Sequence, residues 1–141
     1  WSRAFANPDL KLYFVELAPY NQNWLGFFGD TLDAVVDLQQ PQMVHQISLD
    51  FYFYPLSWIF LPQQVQFFVS DDGRDWQPVG EEQPLNPQIL ATPDIRTLSA
   101  VFTPRKARYV RVVAVPLEKI PDWHRAAGQP CWIFTDELIV R

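Results

Sequence analysis

The 141-residue sequence holds few residues whose types and spacing could do covalent chemistry. Two adjacent carboxylate pairs stand out, Asp71–Asp72 and Asp136–Glu137. Acid–base hydrolysis needs two carboxyl groups flanking one bond. The first pair falls in a turn, where Asp serves backbone hydrogen bonds. The second falls in a strand, where neighbours point to opposite faces and cannot act on one bond. Cys131 is the single cysteine, so no internal disulfide forms, and nothing in the spacing orients His45 or His124 toward it. No glycine loop is placed to cradle phosphate, and no Cys/His spacing suits zinc. The residues read as non-catalytic.

Recognition chemistry is better represented. Aromatic residues make up 16% of the chain, with six Trp. A β-sandwich core uses aromatics heavily, and so does a sugar-binding surface, where indole faces stack on pyranose rings. Such a surface needs one exposed aromatic face and a few groups aimed at hydroxyls. Two long connections, 54–62 and 116–132, supply the candidates Trp58, Trp123, His124, Arg125 and Trp132. Trp123-His124-Arg125 puts a stacking face, a neutral donor/acceptor and a fork of donors into three residues. The alternative is that Trp123 and Trp132 pin their excursion to the sandwich. The apolar 54–62 connection either folds back over the sandwich end or offers Trp58 as a platform. Trp76 is assigned to the core, and Trp24 to packing between the N-terminal segment and the sheet. Arg108 and Arg111 read as strand residues with local carboxylate partners. His45 lies on an apolar stripe and reads as a packed histidine with a backbone partner.

Those side chains need strands to position them. Leu61–Gly80 is the organising stretch: Val65, Phe67 and Val69 share one face, while Gln64, Gln66 and Ser70 share the other. Asp72-Gly73 supplies a turn with a positive-φ residue, and a second strand over 74–79 completes a hairpin. Met43, His45, Ile47, Leu49, Phe51 and Phe53 share a face of the clearest strand, and 33–38 precedes it across a turn at 39–42. Strands are expected at 98–103, closed by Pro104, at 107–115 with Val110 and Val112 in the core, and at 132–140. Residues 10–15 are a weaker strand candidate, and 81–96 reads as a loop.

The pattern predicts an all-β, antiparallel sandwich in a single domain, 1–141, with 1–23 an N-terminal segment of uncertain role. Thirteen Pro against five Gly suit short strands joined by loops. The net charge of −5 disfavours a nucleic-acid partner. No apolar run approaches the roughly 18–20 residues of a membrane span. The chain lacks an initiator Met and reads as an excised piece of something longer.

The strand ending Val36-Asp37-Leu38, then VQFFVSDDGRDWQPVG at 65–80, ARYVRVVAV at 107–115 and WIFTDELIV at 132–140 together resemble the coagulation-factor type C, or discoidin-like, domain. The resemblance covers about Asp33 to Arg141. It implies a galactose-binding-like jelly-roll sandwich, a family that includes carbohydrate-binding modules of family 32. WLGFFGDTLDAVVDL (24–38), WIFLP (58–62) and IPDWHRAAGQPCWIFTDELIV (120–140) further resemble the C-terminal module of bacterial family-20 β-N-acetylhexosaminidases. That implies a non-catalytic accessory domain on an exported glycoside hydrolase, periplasmic, cell-surface or secreted. Its implied partners are glycans containing GlcNAc, GalNAc or galactose, and the parent's catalytic domain. Many family members open with an Asp-Gly loop that joins a late Glu to bind calcium. That loop is absent between Trp1 and Asn23, so calcium stays open, with Glu137 the one candidate ligand. The alternative function is a structural domain that packs on the catalytic domain through Trp58–Leu61 and Trp24–Phe28. Membrane binding is opposed by the acidic charge and the lack of basic clusters.

Overall fold

The computed structural model describes residues 2–5, 13–17 and 22–141, and the side chains of 24–136 and 138–141. Its strands are β1 (Ser2–Phe5), β2 (Tyr13–Leu17), β3 (Gln22–Phe28), β4 (Leu32–Phe53), β5 (Gln64–Ser70), β6 (Gln77–Glu82), β7 (Asp94–Val115) and β8 (Trp132–Val140). A 3-10 turn spans Pro55–Ser57. The strand order is β2-β3-β8-β4-β7-β5-β6, with β1 beside β4, and the strand pairings are antiparallel.

Two long strands make this sheet a sandwich. Residues 32–37 of β4 pair with β1 and with 109–114 of β7, while 46–53 pair with β8 and with 94–101 of β7. The β4–β7 pair therefore belongs to both halves, and its ladder breaks between Asp37 and Gln42 and between Val44 and Gln46. Bulges bend a strand and raise its twist, so the sheet curls until its halves face each other. Val36, Val65, Phe67, Val110 and Val112 from one half meet Leu25, Phe27, Ile47, Leu49 and Phe51 from the other in one buried core. Each buried Phe contributes about 2–3 kcal/mol by area removed from water.

The breaks also explain where the strand pattern departs from expectation. Residues 39–42 are not a turn between strands but a kink inside β4. Gln39 takes φ +73 and its N–H donates to Asp37 Oδ1 at 2.7 Å. At the second break the N–H groups of His45 and Gln46 both donate to the Arg141 carbonyl, at 2.8 and 3.0 Å. Two residues opposing one shift the side-chain parity. Val44 is buried, whereas His45 and Met43 are exposed. The packed His45 expected from simple alternation is thus corrected. Pro104 does not close a strand either. It sits within the same irregularity of β7, between the registered partners Val101 and Arg105, where its missing N–H costs no ladder bond.

The central hairpin forms as expected, with Gly73 at φ +78. Its return strand starts at Gln77 rather than 74, because the turn is a hydrogen-bonded loop. Asp72 Oδ1 accepts from Arg74 N at 2.8 Å, Asp75 N at 3.0 Å and Ser70 Oγ at 3.0 Å. Ser70 Oγ accepts from Gly73 N at 2.9 Å. Trp76 leaves this loop on the outer face and is half-buried, not a core residue. The Arg111 guanidinium lies 5.7 Å from its ring centroid. Arg111 is itself held by Asp33 through two bonds of 2.8 and 2.6 Å. Arg108 grips Asp37 at 3.0 and 3.1 Å, and with the Gln39 N–H it holds the Asp37 carboxyl below the usual carboxylate range. Both arginines are the carboxylate-paired strand residues expected, and Val110 and Val112 are fully buried.

A second, smaller cluster packs Trp24, Tyr52, Ile59 and Phe134 together. Trp24 is fully buried, its ring 5.4 Å from that of Tyr52. Gly26 stands opposite Phe134 in the β3–β8 ladder, and the phenyl ring occupies the space a Cβ would need. This close approach is what glycine supplies within a strand.

Candidate functional site

The 54–62 connection and the 116–131 excursion meet at one end of the sandwich, beside the starts of β5 and β8. Pro55 opens the 3-10 turn, and Trp58 closes it at φ +65 with its N–H on the Pro55 carbonyl at 2.9 Å. Tyr54 and Ile59 then exchange backbone bonds of 2.9 and 3.1 Å. Ile59, Phe60 and Leu61 are buried, as befits an apolar run between two prolines. The connection is sewn to β8: Trp132 N donates to Trp58 O at 2.8 Å, and Phe60 N to Trp132 O at 3.0 Å. Asn86 clamps Leu61 from the 83–93 loop, accepting at 2.7 Å and donating at 3.1 Å.

The excursion is closed by Ile120 N on Gln129 O at 2.8 Å and Gly128 N on Ile120 O at 3.0 Å, with Gly128 at φ +87. His124 fastens it to the first connection. The His124 Nδ1 accepts from Ala126 N at 2.9 Å, which assigns the proton to Nε2, and Nε2 donates to the Pro55 carbonyl at 2.8 Å. The ring is only 4% exposed and packs edge-on to Phe60 and Trp123, with centroids 5.8 and 5.7 Å away.

The five residues singled out from sequence therefore gather at one end, in different roles. Trp58, Trp123 and Trp132 are half-buried, each packed on the core or the Trp24 cluster and partly exposed, and Arg125 is exposed. His124 is corrected from a hydroxyl ligand to a positioning residue, because both ring nitrogens are engaged within the protein. Phe28 was missed. It is 38% exposed, stands opposite Trp132 in the β3–β8 ladder, and its ring lies 4.9 Å from the indole. Its signal was parity with the buried Trp24 and the ring-covered Gly26, after which Gly29, at φ +68, turns the chain away.

Among the described residues of this region, no nucleophile stands beside a base and no two carboxylates face one another. Burial pushes the Cys131 thiol up to about 11, so it stays protonated near neutrality and is a poor nucleophile. Asp71 and Asp72 lie in the hairpin loop. Asp136 is half-buried on β8, and the side chain of Glu137, the one calcium candidate, lies outside the described residues. Among the described residues no group of three His, Cys, Asp or Glu could hold a metal ion. No described helix is long and apolar enough to cross a membrane.

No protein-family model matches the chain, and no curated protein sequence matches it. Solved structures do. Chitosan-binding module 1 from a chitosanase/glucanase of Paenibacillus sp. IK-5 superposes with a TM-score of 0.56 at 18% identity, covering 89% of this chain and 81% of that one. A family-32 carbohydrate-binding module produced by Clostridium perfringens, CBM32-6 of CpGH89, gives 0.54 at 10% identity, covering 96% and 95%. A GH29 fucosidase of Ruminococcus gnavus, in complex with fucose, gives 0.54 at 10% identity over 84% of this chain, which spans 19% of that enzyme's length. At these identities the likeness is one of architecture, and it establishes that this chain has the antiparallel β-sandwich fold of family-32 carbohydrate-binding modules.

Proposed function

We propose that this chain is a non-catalytic carbohydrate-binding accessory module of a larger exported bacterial glycoside hydrolase, of the β-N-acetylhexosaminidase kind. The observation that carries the reading is the convergence of three half-buried indoles, Trp58, Trp123 and Trp132, from separate segments onto one end of the sandwich. Backbone bonds and the His124 bridge hold them there without any ligand. A prearranged aromatic surface loses little side-chain entropy on binding. Trp58 or Trp123 stacks on a pyranose face, Arg125 donates to its hydroxyls, and the Phe28–Trp132 pair extends the platform. GlcNAc, GalNAc and galactose are the sugars to test first. A shallow site of this size binds at about 1 mM, and the parent enzyme gains from local concentration on a glycan surface. The module-sized neighbours, and the enzyme of which the matching part is one-fifth, support an accessory role.

The docking alternative loses much of its footing. Of the apolar residues it relies on, Trp24, Leu25, Phe27, Ile59, Phe60 and Leu61 are buried inside this domain, which leaves Phe28 and the half-buried Trp58 as its surface. A two-dimensional amide NMR titration with GlcNAc, GalNAc, galactose and short oligosaccharides, with and without calcium, tests the proposal. Saturable shifts at the indole N–H groups of Trp58, Trp123 and Trp132 and at Arg125 are expected. Silence there at about 50 mM sugar, far above the expected constant, overturns it.

A further inference from the structure

We infer that the module carries a second, separate site for a neutral sugar ring, in the outer cleft beside the central hairpin. The cleft has a volume of about 420 Å³ and is lined by Asp72, Gly73, Arg74, Trp76, Tyr109 and Arg111, together with Val35. It lies past the end of β5 at Ser70, whereas the Trp58 end lies before the start of β5 at Gln64. Seven strand residues at about 3.3 Å each put the two sites roughly 20 Å apart, so one monosaccharide cannot touch both. The inference does not depend on the Trp58 end binding sugar.

The ligand class follows from the lining. Trp76 and Tyr109, both half-buried, supply ring surface. Trp76 packs on the Arg111 guanidinium, which Asp33 grips bidentately. Gly73 sets the loop beside Tyr109 through its backbone conformation. A Cβ there would sit 3.5 Å from that ring, and the backbone is at φ +78, where side chains are strained. The polar groups are fixed in advance. Asp72 Oδ1 accepts three internal bonds, which hold the exposed carboxylate in place and leave Oδ2 as an acceptor at the cleft's edge. Arg74 is exposed and its guanidinium forms no ion pair among the described residues. An aromatic wall with a fixed acceptor beside a free donor fork matches the apolar face and adjacent hydroxyls of a pyranose.

The charge balance selects a neutral ring over an acidic one. Arg111 is neutralised by Asp33, Arg108, which lies over the Tyr109 ring, by Asp37, and Arg74 is offset by Asp72, while Asp71 and Asp75 share the adjoining pocket with Arg105 and Lys106. A uronic acid would enter a balanced field with no surplus of positive charge to hold its carboxylate. A simple cation is disfavoured too, because Arg111 already occupies a face of Trp76.

The test is an amide NMR titration of the 141-residue chain with galactose, GlcNAc and GalNAc, and with glucuronic acid as the charge control. Saturable shifts at Gly73, the Arg74 amide, the Trp76 indole N–H and Tyr109 support the site. Arg74→Ala, a surface change, is expected to weaken those shifts about tenfold, the worth of one charge-assisted hydrogen bond, while leaving any response at Trp58, Trp123 and Trp132 intact. Shifts confined to the Trp58 end overturn this inference and keep the proposed function. Shifts confined to the hairpin cleft do the reverse. Silence at both overturns both. Tighter binding of glucuronic acid than of the neutral sugars at the cleft overturns the neutral assignment.

Discussion

Replacing His124 by Ala separates two accounts of the same residue. If the imidazole is a post between connections, its loss is a folding event. The Pro55 carbonyl loses the Nε2–H donor at 2.8 Å and the Ala126 N–H loses its acceptor at 2.9 Å. The Pro55 carbonyl keeps the Trp58 N–H at 2.9 Å, so losing the second of its two donors costs about 0.5–1 kcal/mol, and half-buried Ala126 finds water for about 0.5–1 kcal/mol. The ring also leaves a void against Phe60 and Trp123, worth about 1 kcal/mol. Together this is about 2.5 kcal/mol, or a fall in Tm of roughly 8 °C for a domain this size. Urea unfolding followed by tryptophan fluorescence measures it. His124→Gln retains a donor for Pro55 but no acceptor for Ala126 and is expected to recover about half. If His124 instead serves as an exposed sugar ligand, His124→Ala changes stability by less than about 0.5 kcal/mol, as surface substitutions do, and abolishes sugar-induced shifts. That outcome would refute the reasoning from the ring's two bonds.

Four further outcomes follow from the same geometry. Gly26→Ala puts a methyl group into the Phe134 ring on β8 and is expected to cost about 2–3 kcal/mol by overpacking, read from the urea midpoint. Arg111→Lys keeps the charge but loses the fork on Asp33 and the stack on Trp76. It is expected to cost about 1 kcal/mol, with a moved Trp76 indole resonance as its signature. The Asp72 carboxyl is held below its usual range by the Asp75 and Arg74 N–H groups and the Ser70 hydroxyl. A lowered folded pKa stabilises above the unfolded value of about 3.9 and is lost as pH falls through the folded value. Carbon-detected NMR of Asp72 is expected to show its midpoint below that of an exposed Asp. The Cys131 thiol is raised to about 11 by burial, so the unfolded chain releases this proton first, and stability falls as pH rises from about 9 toward 11. Cys131→Ala removes that slope, which comparison of the two urea midpoints at pH 8 and 10 checks.

The legible parts of the fold are those where one local rule acts alone. In β5, Val65, Phe67 and Val69 alternate without interruption and all are buried, because nothing bends that strand. Asp72-Gly73 announced its turn through the one residue able to hold φ +78. Arg108 and Arg111 stood among apolar neighbours, and each found the carboxylate a half-buried guanidinium needs. Alternation failed at His45 because parity depends on an extra residue that the local pattern does not mark. Two donors meeting the Arg141 carbonyl is a contact across 95 positions of sequence. Pro104 misled for the same reason. A proline ends a strand unless its partner strand is already irregular there, and that irregularity belongs to β4.

The candidate site was harder to read, because an indole that packs and an indole that binds obey the same pattern. Trp24 and Trp58 both sit in apolar runs, yet Trp24 is wholly enclosed in the cluster with Tyr52 and Phe134 while Trp58 is half-buried against the main core. What divides them is how neighbouring segments close over each ring. Trp58 adopts φ +65 at the end of a tight turn, a conformation that costs a bulky residue about 1 kcal/mol. Its carbonyl is fastened to Trp132 N and its N–H to Pro55 O, so the surrounding bonds fix the backbone and hold that strain. Nothing in those bonds demands an aromatic side chain. Glycine would adopt the turn without strain, so what the indole adds here is its packing on the core and the contacts of its exposed part. Trp58→Gly is therefore expected to leave the urea midpoint within about 1 kcal/mol of the parent, relief of the turn offsetting lost packing, while sugar-induced shifts at this end disappear. A loss of about 3 kcal/mol or more, typical of a truncated core aromatic, with sugar shifts unchanged, would assign the indole to the core and remove Trp58 from the site.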